Sequence, residues 1–358
     1  MQSAKIRVLV VDDSLFMRTL ISDMLNSDPE IEVTGTAKDG TEAIKKVSKI
    51  KPDCITLDLA MPVWDGLTTL KHIIEKYPTP VVILSAYSKK DADITMKCLN
   101  AGAVGFVLKP SGELSLDIEQ VKNQLVEEVK AASQVNVRKI KSLIAKKPRR
   151  MRRKLIGLKR IVVIGASTGG PQTLELILSS LPGDFPAPII VVQHVPTSFF
   201  TQSLAERLNQ NCELKVKIIE NNEPIQAGTV YLIPSGFRLK LTHLDTQDVI
   251  SSLSREESNI LSPSIDSAMK TVAQTYSENV VGIILTGMGE DGVEGMKAIK
   301  EAGGKTIVQD ESSLIFGMPK AVIKEGYADK VLPPPEITRF IVNIVEENER
   351  KIRPTEAY

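Results

Sequence analysis

Ile6-Arg7-Val8-Leu9-Val10-Val11-Asp12-Asp13-Ser14 is a nearly continuous run of branched apolar residues that stops at two carboxylates and a hydroxyl. A strand with one wet face would alternate polar and apolar residues, so this run reads as a strand covered on both faces. Leu15–Leu25 follows at once, with apolar residues three and four apart, the helical period. The unit then repeats. Strand signals recur at Ile31–Thr36, Cys54–Leu59, Val81–Ser85 and Gly105–Leu108, with helical patterns between them such as Leu67–Tyr77, and a last helix at about Leu116–Ala132. Five strand–helix units with right-handed crossovers predict a flavodoxin-like, doubly wound (βα)5 domain over residues 1–128.

A second α/β alternation starts near Lys159. Strands are expected at Ile161–Ile164, Ile189–Gln193, Val216–Ile219, Val230–Ile233, Arg238–His243, Val249–Leu253, Val281–Thr286 and Lys305–Val308. Helices are expected after Gly170, Ser198, Ser264 and Asp291, and at Ile337–Lys351. Ser235-Gly236 and Asp245–Gln247 suggest antiparallel hairpins inserted into a doubly wound, mostly parallel sheet, over residues 159–350. Between the halves, residues 129–158 read as a basic linker.

That linker dominates the charge pattern. The chain of 358 residues has a net charge of +1, yet Lys130–Arg160 holds thirteen Lys or Arg and no Asp or Glu, which leaves −12 for the remainder. Its densest part, Lys146-Lys147-Pro148-Arg149-Arg150-Met151-Arg152-Arg153-Lys154, repels itself and lacks apolar partners. A nucleic-acid-binding output through this stretch is the alternative function, but no aromatic residues are interleaved for base stacking, so no nucleic acid is expected. No run approaches the ~18 apolar residues of a membrane span, which argues against membrane insertion. The start, Met1-Gln2-Ser3-Ala4-Lys5-Ile6, lacks a secretory layout, and a cytoplasmic protein is expected. Cys54, Cys98 and Cys212 are far apart and suggest neither disulfides nor zinc.

Two constellations carry chemistry. In the first half, Asp12, Asp13 and Asp58 stand at the carboxyl ends of neighbouring strands, where an open parallel sheet binds ligands. Three converging carboxylates call for a cation, and hard oxygen donors favour Mg²⁺. Ser85 and Lys109 end the next two strands, and a hydroxyl and an ammonium opposite carboxylates suit the oxygens of a phosphoryl group. In the second half, Ile164-Gly165-Ala166-Ser167-Thr168-Gly169-Gly170-Pro171 passes from a strand through a glycine turn into a helix. The turn fits either a nucleophilic serine beside backbone N–H groups or a dinucleotide loop, although it lacks regular G-x-G-x-x-G spacing. His194, at the end of the next strand, favours the nucleophile, because it is placed as a general base. Asp291, with Glu290 and Glu294 as rivals, lies past a third strand where a carboxylate would orient the imidazole.

Residues 5–128 resemble the receiver domain of two-component response regulators, on Asp12-Asp13, Asp58, Met61-Pro62, Asp65-Gly66, Ser85 and Lys109. The resemblance implies phosphorylation at Asp58 by a chemotaxis histidine kinase, Mg²⁺ held by Asp12, Asp13 and Asp58, and Ser85 and Lys109 sensing the phosphoryl group. Phe106 falls where receivers often place a switch aromatic. Residues 158–345 resemble the catalytic domain of the chemotaxis protein-glutamate methylesterase and protein-glutamine glutaminase family. The carrying motifs are Gly165–Pro171, Gln193-His194-Val195-Pro196, Thr286–Gly292, Gln309-Asp310-Glu311-Ser312-Ser313 and Phe316-Gly317-Met318-Pro319. That resemblance implies a serine hydrolase with Ser167 as nucleophile, His194 as base and Asp291 as orienter, Thr168 and Met288 lining the site, and no cofactor for the esterase reaction. It further implies demethylation of glutamyl methyl esters, and deamidation of glutamines, on methyl-accepting chemotaxis receptors during sensory adaptation. In the family the unphosphorylated receiver blocks the active-site face. Val195 replaces the family's usual Met, and Ser262 its usual Arg.

Overall fold

The computed structural model describes residues 4–110, 115–137, 160–244, 249–255 and 263–352. The chain divides into two compact units, Met1–Ala145 and Lys146–Tyr358.

In the first unit, strands β1 (Ile6–Val11), β2 (Ile31–Ala37), β3 (Cys54–Asp58), β4 (Val81–Ser85) and β5 (Gly105–Leu108) alternate with helices α1 (Leu15–Asn26), α2 (Gly40–Ile50), α3 (Gly66–Lys76), α4 (Lys89–Ala101) and α5 (Ser115–Ser133). The sheet order is β2-β1-β3-β4-β5, with every neighbouring pair parallel. All five residues of β3 and of β4 are buried, which fits runs dominated by apolar residues, with Thr56, Asp58 and Ser85 as the buried polar exceptions. The chain passes from β1 outward to β2 and returns on the other side to β3, so the connections diverge between the ends of β1 and β3. Ser14, Asp39, Asp65 and Ser88 each cap the helix that follows with a side-chain oxygen.

The second unit continues with β6 (Ile161–Ala166), α6 (Gly170–Leu178), β7 (Ile189–Gln193), α7 (Ser198–Asn211), β8 (Lys215–Ile218), β9 (Thr229–Leu232), β10 (Phe237–His243), β11 (Val249–Arg255), α8 (Ile265–Tyr276), β12 (Val280–Ile284), α9 (Val293–Glu301), β13 (Lys305–Gln309), α10 (Met318–Lys324), β14 (Lys330–Leu332) and α11 (Pro334–Ile352). Seven strands form one sheet in the order β14-β13-β12-β6-β7-β9-β8, parallel throughout. Its divergence point flanks β6, with β7 on one side and β12 on the other.

Three points depart from the sequence reading. The strand expected at Val230–Ile233 is a parallel member of the main sheet, between β7 and β8, and not a hairpin arm. Among the described residues only β10 and β11 pair antiparallel as a hairpin, and they form a two-stranded sheet of their own. Pro234 explains the exit: Ile233 still donates to the Val191 carbonyl, but proline has no N–H to continue the ladder. The hairpin instead buries Leu239, Leu241 and Val249 in the core shared with Met269 and Val272 of α8, and Leu241 N–H donates to Thr271 Oγ1. Finally, β14 and α10 were not foreseen, being too short to show a period. The expected Asp245–Gln247 turn, the densest basic stretch and Ser262 lie outside the described residues.

Candidate functional sites

The first site is built where the connections diverge in the first sheet. Asp12 follows β1 and is fully buried, Asp58 ends β3 at 3% exposure, and Asp13 is exposed. Carboxylate oxygens of the three lie within 4.8 Å of one another. Lys109, just past β5, places Nζ 2.7 Å from Asp12 Oδ2 and 2.8 Å from Asp58 Oδ1. Burial pushes the Asp58 carboxyl above the usual carboxylate range, and the Lys109 ammonium offsets this only in part. For Lys109 the balance is reversed: burial disfavours its charge, but the two carboxylates hold its net pKa above the ordinary lysine value.

Neighbouring residues fix these groups. Asp12 Oδ1 accepts the Ser14 N–H at 2.9 Å, and the Arg18 guanidinium donates to the carbonyls of Asp12 and Asp13. Ser85 is buried at the end of β4, where Asp58 pairs with Leu84, and its Oγ accepts from Thr95 Oγ1 at 2.9 Å. Gly66 presses against the Asp58 backbone: a Cβ there would lie 2.4 Å from the Asp58 carbonyl oxygen. Phe106 is half-buried on β5. Thr95 and Arg18 were not foreseen. Both act from helix interiors, where nothing in the local pattern sets them apart.

The second site lies at the carboxyl edge of the larger sheet. Ser167 leaves β6 at 9% exposure, in a turn closed by Gly169 at φ +78° and entering α6 through Pro171. Ala166 pairs with Gln193 across β6 and β7, so Ser167 and His194 leave adjacent strands side by side. His194 Nε2 lies 2.8 Å from Asp291 Oδ2, with the histidine side chain almost wholly buried. His194 Nδ1 is buried and has no hydrogen-bond partner among the described residues. Nδ1 is therefore the imidazole's uncommitted nitrogen.

Asp291 follows β12 and precedes α9. Its Oδ2 also accepts the Ile265 N–H at 2.8 Å, and its Oδ1 accepts the Asp266 N–H at 2.9 Å. Burial alone would raise this carboxyl. The hydrogen bond and charge of His194, with the two backbone donors, outweigh it and hold Asp291 below the usual range. The rivals Glu290 and Glu294 accept no such bonds among the described residues.

Several residues inside the quoted motifs tie the loops together, a role the sequence did not reveal. Gln193 donates through Nε2 to the carbonyls of Ser167 and His194. Thr286 is fully buried, donates to the Thr168 carbonyl at 2.9 Å and accepts the Ile315 N–H at 2.9 Å. Gly287 is in close contact with the Ser167 turn: a Cβ there would lie 2.7 Å from Ser167 Cβ. Thr168 is buried and Met288 half-buried. No described helix is long and apolar enough to cross a membrane.

Two family descriptions match the chain: response regulator receiver domain over residues 8–119, and CheB methylesterase over residues 162–341. The chain is 47% identical to a protein-glutamate methylesterase/protein-glutamine glutaminase of Archaeoglobus fulgidus, covering 95% of this chain and 98% of that protein. A protein of the same name from Thermotoga maritima is 42% identical over 95% of this chain and 98% of its own. The crystal structure of the Thermotoga maritima CheB methylesterase catalytic domain matches at 44% identity and TM-score 0.51, covering 52% of this chain and all of that one.

Proposed function

The chain belongs to the family of CheB methylesterases that carry a response regulator receiver domain, and we propose how its own residues perform that family's reaction. The protein is a protein-glutamate methylesterase/protein-glutamine glutaminase. The receiver spans 1–128, the linker 129–158 and the esterase domain 159–350. The observation that carries the mechanism is the 2.8 Å contact between His194 Nε2 and Asp291 Oδ2, which leaves the imidazole's other nitrogen uncommitted, on a strand end adjacent to that of Ser167.

His194 Nδ1 takes the proton of Ser167 as Oγ forms a bond to the ester carbonyl carbon. Asp291, kept ionised, fixes the tautomer and stabilises the imidazolium. Two N–H groups of the turn are committed, Ser167 to the Thr286 carbonyl and Gly170 to the Ser167 carbonyl. By resemblance to the family, the oxyanion is assigned to the backbone N–H of Met288, at a site lined by Thr168. The C–O bond to methoxide breaks and His194 returns the proton, releasing methanol. Water then attacks the acyl-enzyme with His194 as base, giving glutamate and free Ser167. With a glutamine side chain the leaving group is ammonia. The substrates are methyl-accepting chemotaxis receptors, reached in the cytoplasm.

In the receiver, the oxygen set of Asp12, Asp13 and Asp58 fits a hard divalent cation, consistent with Mg²⁺. When bound, that ion balances the charge of the carboxylates and of the incoming phosphoryl oxygens. Asp58 accepts the phosphoryl group from a histidine kinase, and Lys109 and Ser85 hold its oxygens. Phosphorylation raises esterase activity; tenfold requires only about 1.4 kcal/mol of coupling. A nucleic-acid output through Lys130–Arg160 finds no support, since the second unit is an esterase domain.

Mass spectrometry of a methylated receptor fragment tests the chemistry. The native protein converts glutamyl methyl ester to glutamate, and Ser167→Ala leaves the ester intact. Equal conversion by both proteins would refute the role of Ser167.

A further inference from the structure

Asp291 is held by more than the histidine it serves. Its two oxygens take the first N–H groups of α8, from Ile265 and Asp266. The favour is returned by the neighbouring carboxylate. Asp266 Oδ1 accepts the Gly292 N–H at 2.9 Å and the Gly295 N–H at 2.6 Å, one just before α9 and one in its first turn. The acid before α9 thus caps α8, and the acid in the first turn of α8 caps α9.

This exchange has a cost. Burial and the nearby Asp291 charge raise the Asp266 carboxyl above its usual range, against the pull of its backbone donors. Two carboxylates facing one another at paired helix starts are not what core packing alone selects. Gly292, immediately after Asp291, is left-handed at φ +105°, and a Cβ there would lie 2.4 Å from Ile284 Cδ1. The backbone on which Asp291 is mounted is therefore confined from one side by β12 and anchored on the other by Asp266.

We propose that Asp266 is the positioning residue of the hydrolase site: by binding the Gly292 and Gly295 N–H groups it fixes the segment that aims Asp291 at His194 Nε2. This rests on the assignment of Ser167, His194 and Asp291 as the catalytic residues. Asp266 touches neither substrate nor imidazole, and it acts through Asp291 alone. A misplacement of about 1 Å in such a group costs on the order of 10²-fold in rate.

The test pairs a spectroscopic readout with kinetics on the full chain, for the native protein, Asp266→Ala, Asp266→Asn and Asp291→Ala. The imidazole N–H donated to a carboxylate gives a far-downfield proton resonance, identified as the one that Asp291→Ala removes. Asp266→Ala is expected to abolish or broaden that resonance and to lower kcat for methanol release about 100-fold with KM unchanged. Asp266→Asn keeps an oxygen for the two N–H groups and should retain the resonance and a kcat within about fivefold of native. Asp266→Ala with native resonance and native kcat would overturn the proposal. So would equal loss of kcat in both Asp266 variants with the resonance intact. The resonance reads the geometry whether or not the protein is an esterase. If the native protein shows the resonance but Ser167→Ala hydrolyses as fast as native, the catalytic assignment fails and the positioning role of Asp266 stands.

Discussion

Gly287 shows how little room single residues have at the hydrolase site. A Cβ at this position would lie 2.7 Å from Ser167 Cβ and 2.4 Å from Met318 Sδ. The methionine tip can swing aside, but Ser167 Cβ cannot move without carrying the nucleophile with it. Gly287→Ala is therefore expected to lower kcat about 100-fold while the protein still folds, measured by methanol release beside a thermal melt. Asp58 makes the opposite point in the receiver, where burial works against the charge of a carboxylate at a strand end. Its carboxyl pKa is raised above the unfolded value, mainly by burial, so ionisation penalises the folded state. The penalty is full above the folded pKa and vanishes as pH falls below the unfolded value near 3.8. Asp58→Asn is expected to raise the melting temperature by a few degrees at neutral pH, to lose that gain in acid, and to abolish the response to a phosphodonor. A lower melting temperature at neutral pH would contradict this reading.

At the scale of elements, the hydrolase site depends on loops from β6, β7, β12 and β13 being tied to one another, and Thr286 is the knot. Its buried hydroxyl joins the Thr168 carbonyl to the Ile315 N–H. Thr286→Val keeps the shape and strands both backbone groups, at about 1–3 kcal/mol. Urea unfolding of the full chain should show that loss in the transition of the second unit. The strands themselves were legible, because strands covered on both faces are spelled as unbroken apolar runs. Ser167, His194 and Asp58 were legible too, since strand ends in parallel sheets are where chemistry collects. What failed was long-range pairing. Val230–Ile233 carries the same residues whether its neighbour runs parallel or antiparallel, and only the sheet order decides. Asp266 carried no such signal, because an acid in a first helical turn needs no partner beyond that turn. Its partners lie 26 and 29 residues on, and no local pattern announces them.

At the scale of the whole molecule, two doubly wound units repeat one arrangement: a parallel sheet, a divergence of connections, and reactive groups at the strand ends. The first collects carboxylates and an ammonium suited to a phosphoryl group, and the second a hydroxyl, an imidazole and a carboxylate suited to acyl transfer. Their coupling in one chain is the central claim, and methanol release from methylated chemoreceptor tests it most directly. The native protein, Ser167→Ala and Asp58→Asn are each assayed with and without a small-molecule phosphodonor. The account predicts release that the phosphodonor stimulates in the native protein, unstimulated release in Asp58→Asn, and none in Ser167→Ala. Release that persists in Ser167→Ala, or stimulation that persists in Asp58→Asn, would contradict it.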